Sequence, residues 1–398
     1  MSEPPGRVAI LSAVRTPIGK FGGGLSKVPS PFLGKIAAGA ALERAGVRPD
    51  QVEEVIFGCG IAAGVGQNPA RQVLLHSGIP PNVGGVTVNK VCGSGMKSLM
   101  FASSEIRAGD VSLVLAGGME SMSNAPFLLP ARARWGIRLG DVPVLDAMQN
   151  DGLTDAYDHQ SMGMTGERIA QRFHISREEA DEFALESHLR AHRASEDGRF
   201  AQEIVAVPAS VTGSTEVRRD EGPRGNSTRE KLATLRPAFL PGGVLTAGNS
   251  SQLSDGAAAL VLASEEMAAK LSRPPLAWIR SSQVGGVAPA DVMESPIPTV
   301  RAHLQKEGLG VGDLDLFEHN EAFSTASIAV RRALEVPERI FNVNGGAVAL
   351  GHPIGCSGAR IVVTLLHEMI RRKAFRGLAT LCMGGGNGTS LILENATG

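Results

Sequence analysis

Val91-Cys92-Gly93-Ser94-Gly95-Met96-Lys97-Ser98 opens a stretch that runs on to Gly109-Asp110 and then through Val111-Ser112-Leu113-Val114-Leu115-Ala116-Gly117-Gly118. Apolar residues recur at helical spacing over 95–108, and Gly109-Asp110 stops them. The run 111–116 is almost continuously apolar, as expected of a strand covered on both faces. The same order returns later in the chain. Gly355-Cys356-Ser357-Gly358 opens a helical pattern over 357–372, and the strand-like run 378–383 that follows ends in Gly384-Gly385-Gly386. This internal echo predicts two copies of one α/β unit.

Outward from the first copy, runs 8–14, 52–58 and 86–91 read as strands, and 34–45 and 69–77 as helices. Strands alternating with helices predict an α/β fold with a largely parallel sheet. The texture changes over 123–246, where charges increase and apolar runs shorten. Ser176-Arg177-Glu178-Glu179 carries the signature of a capping box at the head of an amphipathic helix over 176–196. Residues 212–229 are polar and rich in Gly, Arg and Glu, so they read as loop. The α/β pattern resumes at Asp255, with strands at 276–284 and 314–318 and helices at 297–307 and 322–334. The expected division is therefore 1–122 with 247–274 as one half, 123–246 as an insertion, and 275–398 as the other half.

The 398 residues carry a formal net charge of -1, which excludes a protein that coats nucleic acid or anionic lipid. Aromatics at 4% argue against a stacking platform for bases, while 49 glycines suit tight turns and close backbone approaches. Cys59, Cys92, Cys356 and Cys382 form no C-x-x-C pair, so neither a disulfide framework nor a structural metal site is expected. A reducing, cytoplasmic compartment is the simpler expectation. No run of 18 apolar residues predicts a membrane span. The opening MSEPPGRVAILSAVRTP reads as neither a signal nor a transit peptide, and Asn395-Ala396-Thr397-Gly398 is not a peroxisomal tripeptide.

Four segments carry residues suited to chemistry. Cys92 stands where a strand meets a helix, and backbone N–H groups and the helix dipole there favour a thiolate. His352, between Gly351 and Pro353, lies in a rigid turn that fixes its imidazole and leaves it accessible for proton transfer or oxyanion contact. Cys382 ends a buried strand before Gly384-Gly385-Gly386, whose N–H groups suit an oxyanion or phosphate; the absence of a following Gly-Lys-Ser/Thr excludes a P-loop. His319-Asn320-Glu321-Ala322-Phe323 lies at a strand-to-helix junction, where simple N-capping by Asn320 is the plainer explanation. Taken singly, Cys382 reads as a core thiol and His352 as a hydrogen-bonded turn residue. Together they predict a Cys nucleophile with a separate acid/base.

This set resembles the signature of the thiolase family. The resemblance rests on Val91-Cys92-Gly93-Ser94-Gly95, Gly117-Gly118-Met119-Glu120-Ser121-Met122-Ser123, Asn320-Glu321-Ala322-Phe323, Gly351-His352-Pro353-Ile354-Gly355 and Cys382-Met383-Gly384-Gly385-Gly386. Arg15-Thr16-Pro17-Ile18-Gly19, Leu235-Arg236-Pro237-Ala238-Phe239 and Thr246-Ala247-Gly248-Asn249-Ser250-Ser251 match as well, in order over nearly the whole chain.

The resemblance implies a five-layered α-β-α-β-α fold of two similar halves with an inserted loop domain. It also implies acyl transfer between coenzyme A thioesters, with two acetyl-CoA condensed to acetoacetyl-CoA. Coenzyme A is then a substrate, and no cofactor or metal is implied. Cys92 becomes the nucleophile and His352 its activator. Asn320 positions a water in one oxyanion site, and Cys382 is the acid/base at the α-carbon. The backbone N–H groups of Cys92 and Gly384 form a second oxyanion hole. Ser251, Arg224, Met162 and Met293 are carried over as substrate contacts. A homotetramer is implied, joined through the loop holding Phe127, Leu128, Leu129, Trp135, Ile137 and Leu139.

Some positions depart from the family pattern. Ser161 precedes Met162-Gly163 where enzymes making acetoacetyl-CoA usually have His, which resembles thiolases for longer chains. Gln252 and Ser254 replace the more usual Gly and Asn, and Cys356 stands where Ala is common. A ketoacyl synthase would use a His-based pair in place of Cys382, and a non-catalytic lipid carrier of this fold would be expected to lose Cys92, His352 or Cys382. All three are present.

Overall fold

The computed structural model describes residues 6–396, so part of each terminal stretch considered above lies outside the described residues. The first half contributes β1 (Val8–Arg15), β2 (Gly19–Lys20), β3 (Glu54–Gly58), β4 (Gly84–Val88), β5 (Leu113–Ser121) and, after a long excursion, β8 (Ser254–Ser264). The second contributes β9 (Ala277–Gly286), β10 (Leu316–His319), β11 (Arg376–Met383) and β12 (Asn387–Asn395). Within the excursion β6 (Phe127–Leu128) and β7 (Leu145–Asp146) form a small hairpin.

The main sheet runs β10-β11-β12-β9-β1-β8-β5-β3-β4, with β2 attached to β8. Among the described strands of this sheet, β3–β4, β3–β5 and β10–β11 pair in parallel and the other ladders are antiparallel. The expectation of a largely parallel sheet is thus corrected. A helix intervenes before β4, β5 and β11, whereas β12 follows β11 through a tight Gly384–Gly386 turn that reverses direction. The two halves join edge to edge through three residue pairs, Val8↔Ile279, Ala9↔Trp278 and Ile10↔Ala277.

Side chains alternate across each strand, and the alternation sorts the core into layers. On β8, Ala257, Ala259, Val261 and Ala263 face helices Ser30–Ala45 and Pro69–His76, while Ala258, Leu260 and Leu262 face helices Ser94–Ala108 and Ile354–Arg372. In the second half Leu381, Leu391 and Leu393 face that same inner helix pair. Leu378 and Ile392 point outward to helices Pro296–Glu307 and Ser324–Ala333. The result is the five-layered α-β-α-β-α arrangement. The echo motifs meet in the central layer. A Cβ on Gly95 would lie 2.8 Å from the Ala359 nitrogen, and one on Gly358 2.5 Å from the Met96 nitrogen, so only glycine permits this helix approach.

The excursion leaves β5 and returns to pair with it as β8, Ser121 facing Asp255 in register. It carries helices Met162–Arg172 and Arg177–Glu196. Ser176 and Glu179 form the expected capping box at the head of the second. Fully buried Arg15 ties the excursion to β1, with its guanidinium 2.6 Å from both Glu203 Oε1 and Asp220 Oδ1. Among the described residues no helix is long and apolar enough to cross a membrane.

Candidate active site

Cys92 sits on a turn between β4 and helix Ser94–Ala108. Val91, β-branched, adopts φ 49°, a left-handed conformation that such a residue avoids unless its surroundings impose it. Those surroundings are polar. Asn89 Oδ1 accepts the Val91 N–H at 3.0 Å. Ser94 Oγ accepts the Lys90 N–H at 2.8 Å and donates to the Val91 carbonyl at 2.7 Å. The turn leaves Cys92 half-buried, with the backbone N–H groups of Gly384 and of Cys92 itself directed at its sulfur. Burial pushes its thiol up to about 12, while those two donors pull the other way.

His352 stands two residues ahead of helix Ile354–Arg372. Its Nδ1 is 2.5 Å from Ser357 Oγ, and Ser357 Oγ donates to the Pro353 carbonyl at 2.8 Å. Its Nε2 is 3.4 Å from Asn320 Nδ2. The expected accessible histidine is in fact buried, 8% exposed, and meets open space only at the cavities described below. Burial, aided by the positive charge of Arg360, pushes the imidazole down to about 3, so it rests neutral.

Asn320 is fully buried just after β10 and does not cap the next helix, which starts at Ser324 with Phe323 at its N-cap. The plainer capping role is therefore ruled out. Its Oδ1 has no hydrogen-bond partner among the described residues. Cys382, one residue from the end of β11, lies 3.7 Å from Met293 Sδ; burial and the nearby Cys92 push its thiol up to about 12.

Two buried carboxylates that the sequence reading gave no role hold these turns. Glu321 accepts from Ser187 Oγ at 2.7 Å, Asn342 Nδ2 at 2.8 Å and the Val348 N–H at 3.2 Å, pinning the segment that leads to His352. Glu120 accepts the N–H groups of Gly60 at 3.0 Å, Ile61 at 3.2 Å and Gly355 at 2.8 Å, joining the first half to the helix that follows His352. Burial pushes Glu120 up to about 7 against those donors. Both residues lie inside quoted motifs, but their partners are distant in sequence, and no spacing rule finds them.

Cys92, His352, Cys382 and Gly384 line one inner chamber of about 50 Å³, together with Met162, Met293 and Ser251. It adjoins an outer cavity of about 570 Å³ lined in part by Lys20, Phe239 and Ser251. Leu153, Met162, Ser251, Phe323, His352 and Ile354 line both, so the thiols lie at the inner end of a passage. Both chambers are predominantly apolar. Arg224 is not brought to either. It is exposed on its loop, its backbone N–H donating to His188 Nδ1 at 3.2 Å.

Known proteins resemble this chain in sequence and in fold. Residues 8–266 match the family described as thiolase, N-terminal domain, and residues 273–395 match thiolase, C-terminal domain. An acetyl-CoA acetyltransferase of Escherichia coli is 50% identical over 386 residues, covering 97% of this chain and 98% of the relative. One from Syntrophomonas wolfei is 49% identical over 394 residues, covering 97% and 98%. Among solved structures, a Bacillus anthracis acetyl-CoA acetyltransferase superposes with a TM-score of 0.95 at 43% identity, covering 99% of this chain and 100% of its own. Human mitochondrial 3-ketoacyl-CoA thiolase, solved in complex with CoA, gives 0.94 at 38% identity, covering 98% of each. With both halves matched and the relatives aligned nearly end to end, the chain belongs to the thiolase family.

Proposed function

We propose that this chain is an acetyl-CoA C-acetyltransferase that condenses two acetyl-CoA into acetoacetyl-CoA and CoA, and runs the reverse cleavage. The carrying observation is the inner chamber, where thiols from the two halves and one neutral imidazole meet. At about 50 Å³ it has room for a few water-sized groups and hence for a short acyl unit.

Cys92 gives its proton to His352 Nε2 as its sulfur bonds to the thioester carbonyl. The bond to coenzyme A sulfur breaks, and the proton passes to the departing thiolate. A thioester replaces a thioester, so the acyl group stays open to carbon attack. Cys382, as thiolate, then removes a proton from the methyl carbon of a second acetyl-CoA. The carbanion attacks the acetyl carbonyl, the bond to Cys92 sulfur breaks, and the proton that Cys382 gave to His352 Nε2 in becoming a thiolate passes on to Cys92. In this reading the N–H groups of Cys92 and Gly384 serve one oxyanion, and His352 with a water held by Asn320 the other.

Coenzyme A enters by the outer cavity, its pantetheine arm passing Ser251. Arg224 serves its phosphates from the exposed loop. In this reading 123–246 is the coenzyme-holding loop domain between halves 1–122 with 247–274 and 275–398, and coenzyme A is substrate and not cofactor. We also assign the chain to the cytoplasm as a homotetramer. Support for the tetramer comes from Phe127, Leu129, Trp135, Ile137 and Leu139, exposed in and beside the β6–β7 hairpin, with Trp135 at 83% and Leu139 at 93%. Light scattering after size-exclusion chromatography tests it, and a stable dimer at micromolar concentration would refute it. The function is tested by intact-mass measurement after incubation with acetyl-CoA, where an acetyl adduct on Cys92 is expected. Steady-state comparison of acetoacetyl-CoA with a medium-chain 3-ketoacyl-CoA tests the acyl length.

A further inference from the structure

We infer that Ser357 is a positioning residue that holds His352 in the tautomer with the proton on Nδ1, leaving the Nε2 lone pair for the thiol proton of Cys92. This rests on the acyl-transfer reading above. Ser357 Oγ carries one hydrogen, and its 2.8 Å approach to the Pro353 carbonyl, which can only accept, uses that hydrogen. Read as N–H to O, the 2.5 Å contact with His352 Nδ1 lets both close contacts of Ser357 Oγ be hydrogen bonds. On the other side of the ring Asn320 Nδ2, a donor, lies 3.4 Å from Nε2 and agrees with an unprotonated nitrogen there. A histidine base is commonly oriented by a carboxylate on its second nitrogen. Here a neutral hydroxyl contacts Nδ1, and the nearby charge on Arg360 opposes a cationic ring. The orienting group therefore sets the tautomer without making the imidazolium the resting state.

The internal echo supplies an independent observation. Ser94 and Ser357 occupy the same place in Cys92-Gly93-Ser94-Gly95 and Gly355-Cys356-Ser357-Gly358. Each donates its hydroxyl to a carbonyl just upstream, Val91 or Pro353, and each contacts the turn carrying the reactive side chain: Ser94 Oγ accepts the Lys90 N–H in one half, and Ser357 Oγ meets the imidazole Nδ1 in the other. One serine in each copy thus holds one partner of the proton transfer.

Ser357→Ala removes only the hydroxyl, so the buried site keeps its packing. Full-length Ser357→Ala, checked by circular dichroism, should acetylate Cys92 from acetyl-CoA roughly tenfold to hundredfold more slowly in single turnover, with the half-saturating concentration unchanged. Nitrogen NMR on enzyme labelled with 15N-histidine reads the tautomer directly. His352 should show a protonated Nδ1 and an unprotonated Nε2 in the native chain, and protonated Nε2 should appear in Ser357→Ala. A native His352 protonated on Nε2 overturns the proposal, as does a folded Ser357→Ala that acetylates at the native rate. If Ser357→Ala does not fold, the NMR of the native chain alone decides. If native enzyme forms no acetyl adduct, the acyl-transfer reading fails, while the NMR still decides which nitrogen carries the proton.

Discussion

Ser94 is the first residue of its helix, whereas its counterpart Ser357 lies a turn inside a helix that begins at Ile354. That displacement of three residues separates the chemistry of the two halves. In the first half the helix starts late and Cys92 is left on the turn, open to the chamber. In the second, Pro353 at the N-cap starts the helix early. Gly355 and Cys356 are drawn into it, Cys356 is buried between the inner helices, and the residue left on the turn is His352. In the proposed reading, the repeated unit supplies a nucleophile in one half and a base in the other by shifting where a helix begins, with the serine kept in both places.

The comparison breaks most visibly at the proposed nucleophile. Cys92→Ser should lower turnover on the order of 10⁴-fold or more and leave the circular dichroism spectrum unchanged, because a hydroxyl needs stronger activation than this neutral pair supplies. Thiolysis at the native rate in that variant would falsify the assignment. Cys382→Ser should slow condensation by about 10²- to 10³-fold while intact mass still records an acetyl group on Cys92. Loss of the adduct in a folded protein would mean that the two thiols do not divide the labour.

The serines sharpen the contrast. Ser94→Ala strands the part-buried Lys90 N–H, so a loss of about 1 kcal/mol is expected from the urea midpoint, with less effect on acetylation than Ser357→Ala. Equal acetylation defects would show that both serines act through the nucleophile. The smallest effect is expected at Cys356, which the second copy places in the core. Cys356→Ala should keep kcat within about twofold and lower stability by about 1 kcal/mol. A large kcat loss would make it more than packing.

Much of this was legible in the chain. Helix Ser94–Ala108 and the Ser176 capping box stand where helical spacing and cap chemistry put them. Cys92, His352 and Cys382 were each marked by glycines or proline that fix a turn. Strand β12 went unread because the Gly384-Gly385-Gly386 cluster looked like a ligand loop, and its hairpin character depends on Gly385 and Gly386 adopting φ 79° and 82°. The link between Ser357 and His352 was hidden because helical spacing placed the helix start at 357. The extra turn before it, which brings the hydroxyl under the ring, is set by Pro353 and by Glu120 holding the Gly355 N–H. Asn320 looked like a cap, and only its placement against His352 distinguishes it.

The central layer takes one helix from each half, and this bears on how the chain acquires its structure. The inner face of each sheet is covered by Ser94–Ala108 and Ile354–Arg372 together. Either half made alone would leave Leu260 and Leu262, or Leu381 and Leu391, without much of their cover. During synthesis the first half must wait, partly uncovered, until nearly the last residues emerge, a period in which it is prone to aggregate. The halves resemble two domains in sequence, yet they share one core, and the chamber that both of them line exists only once that core has closed.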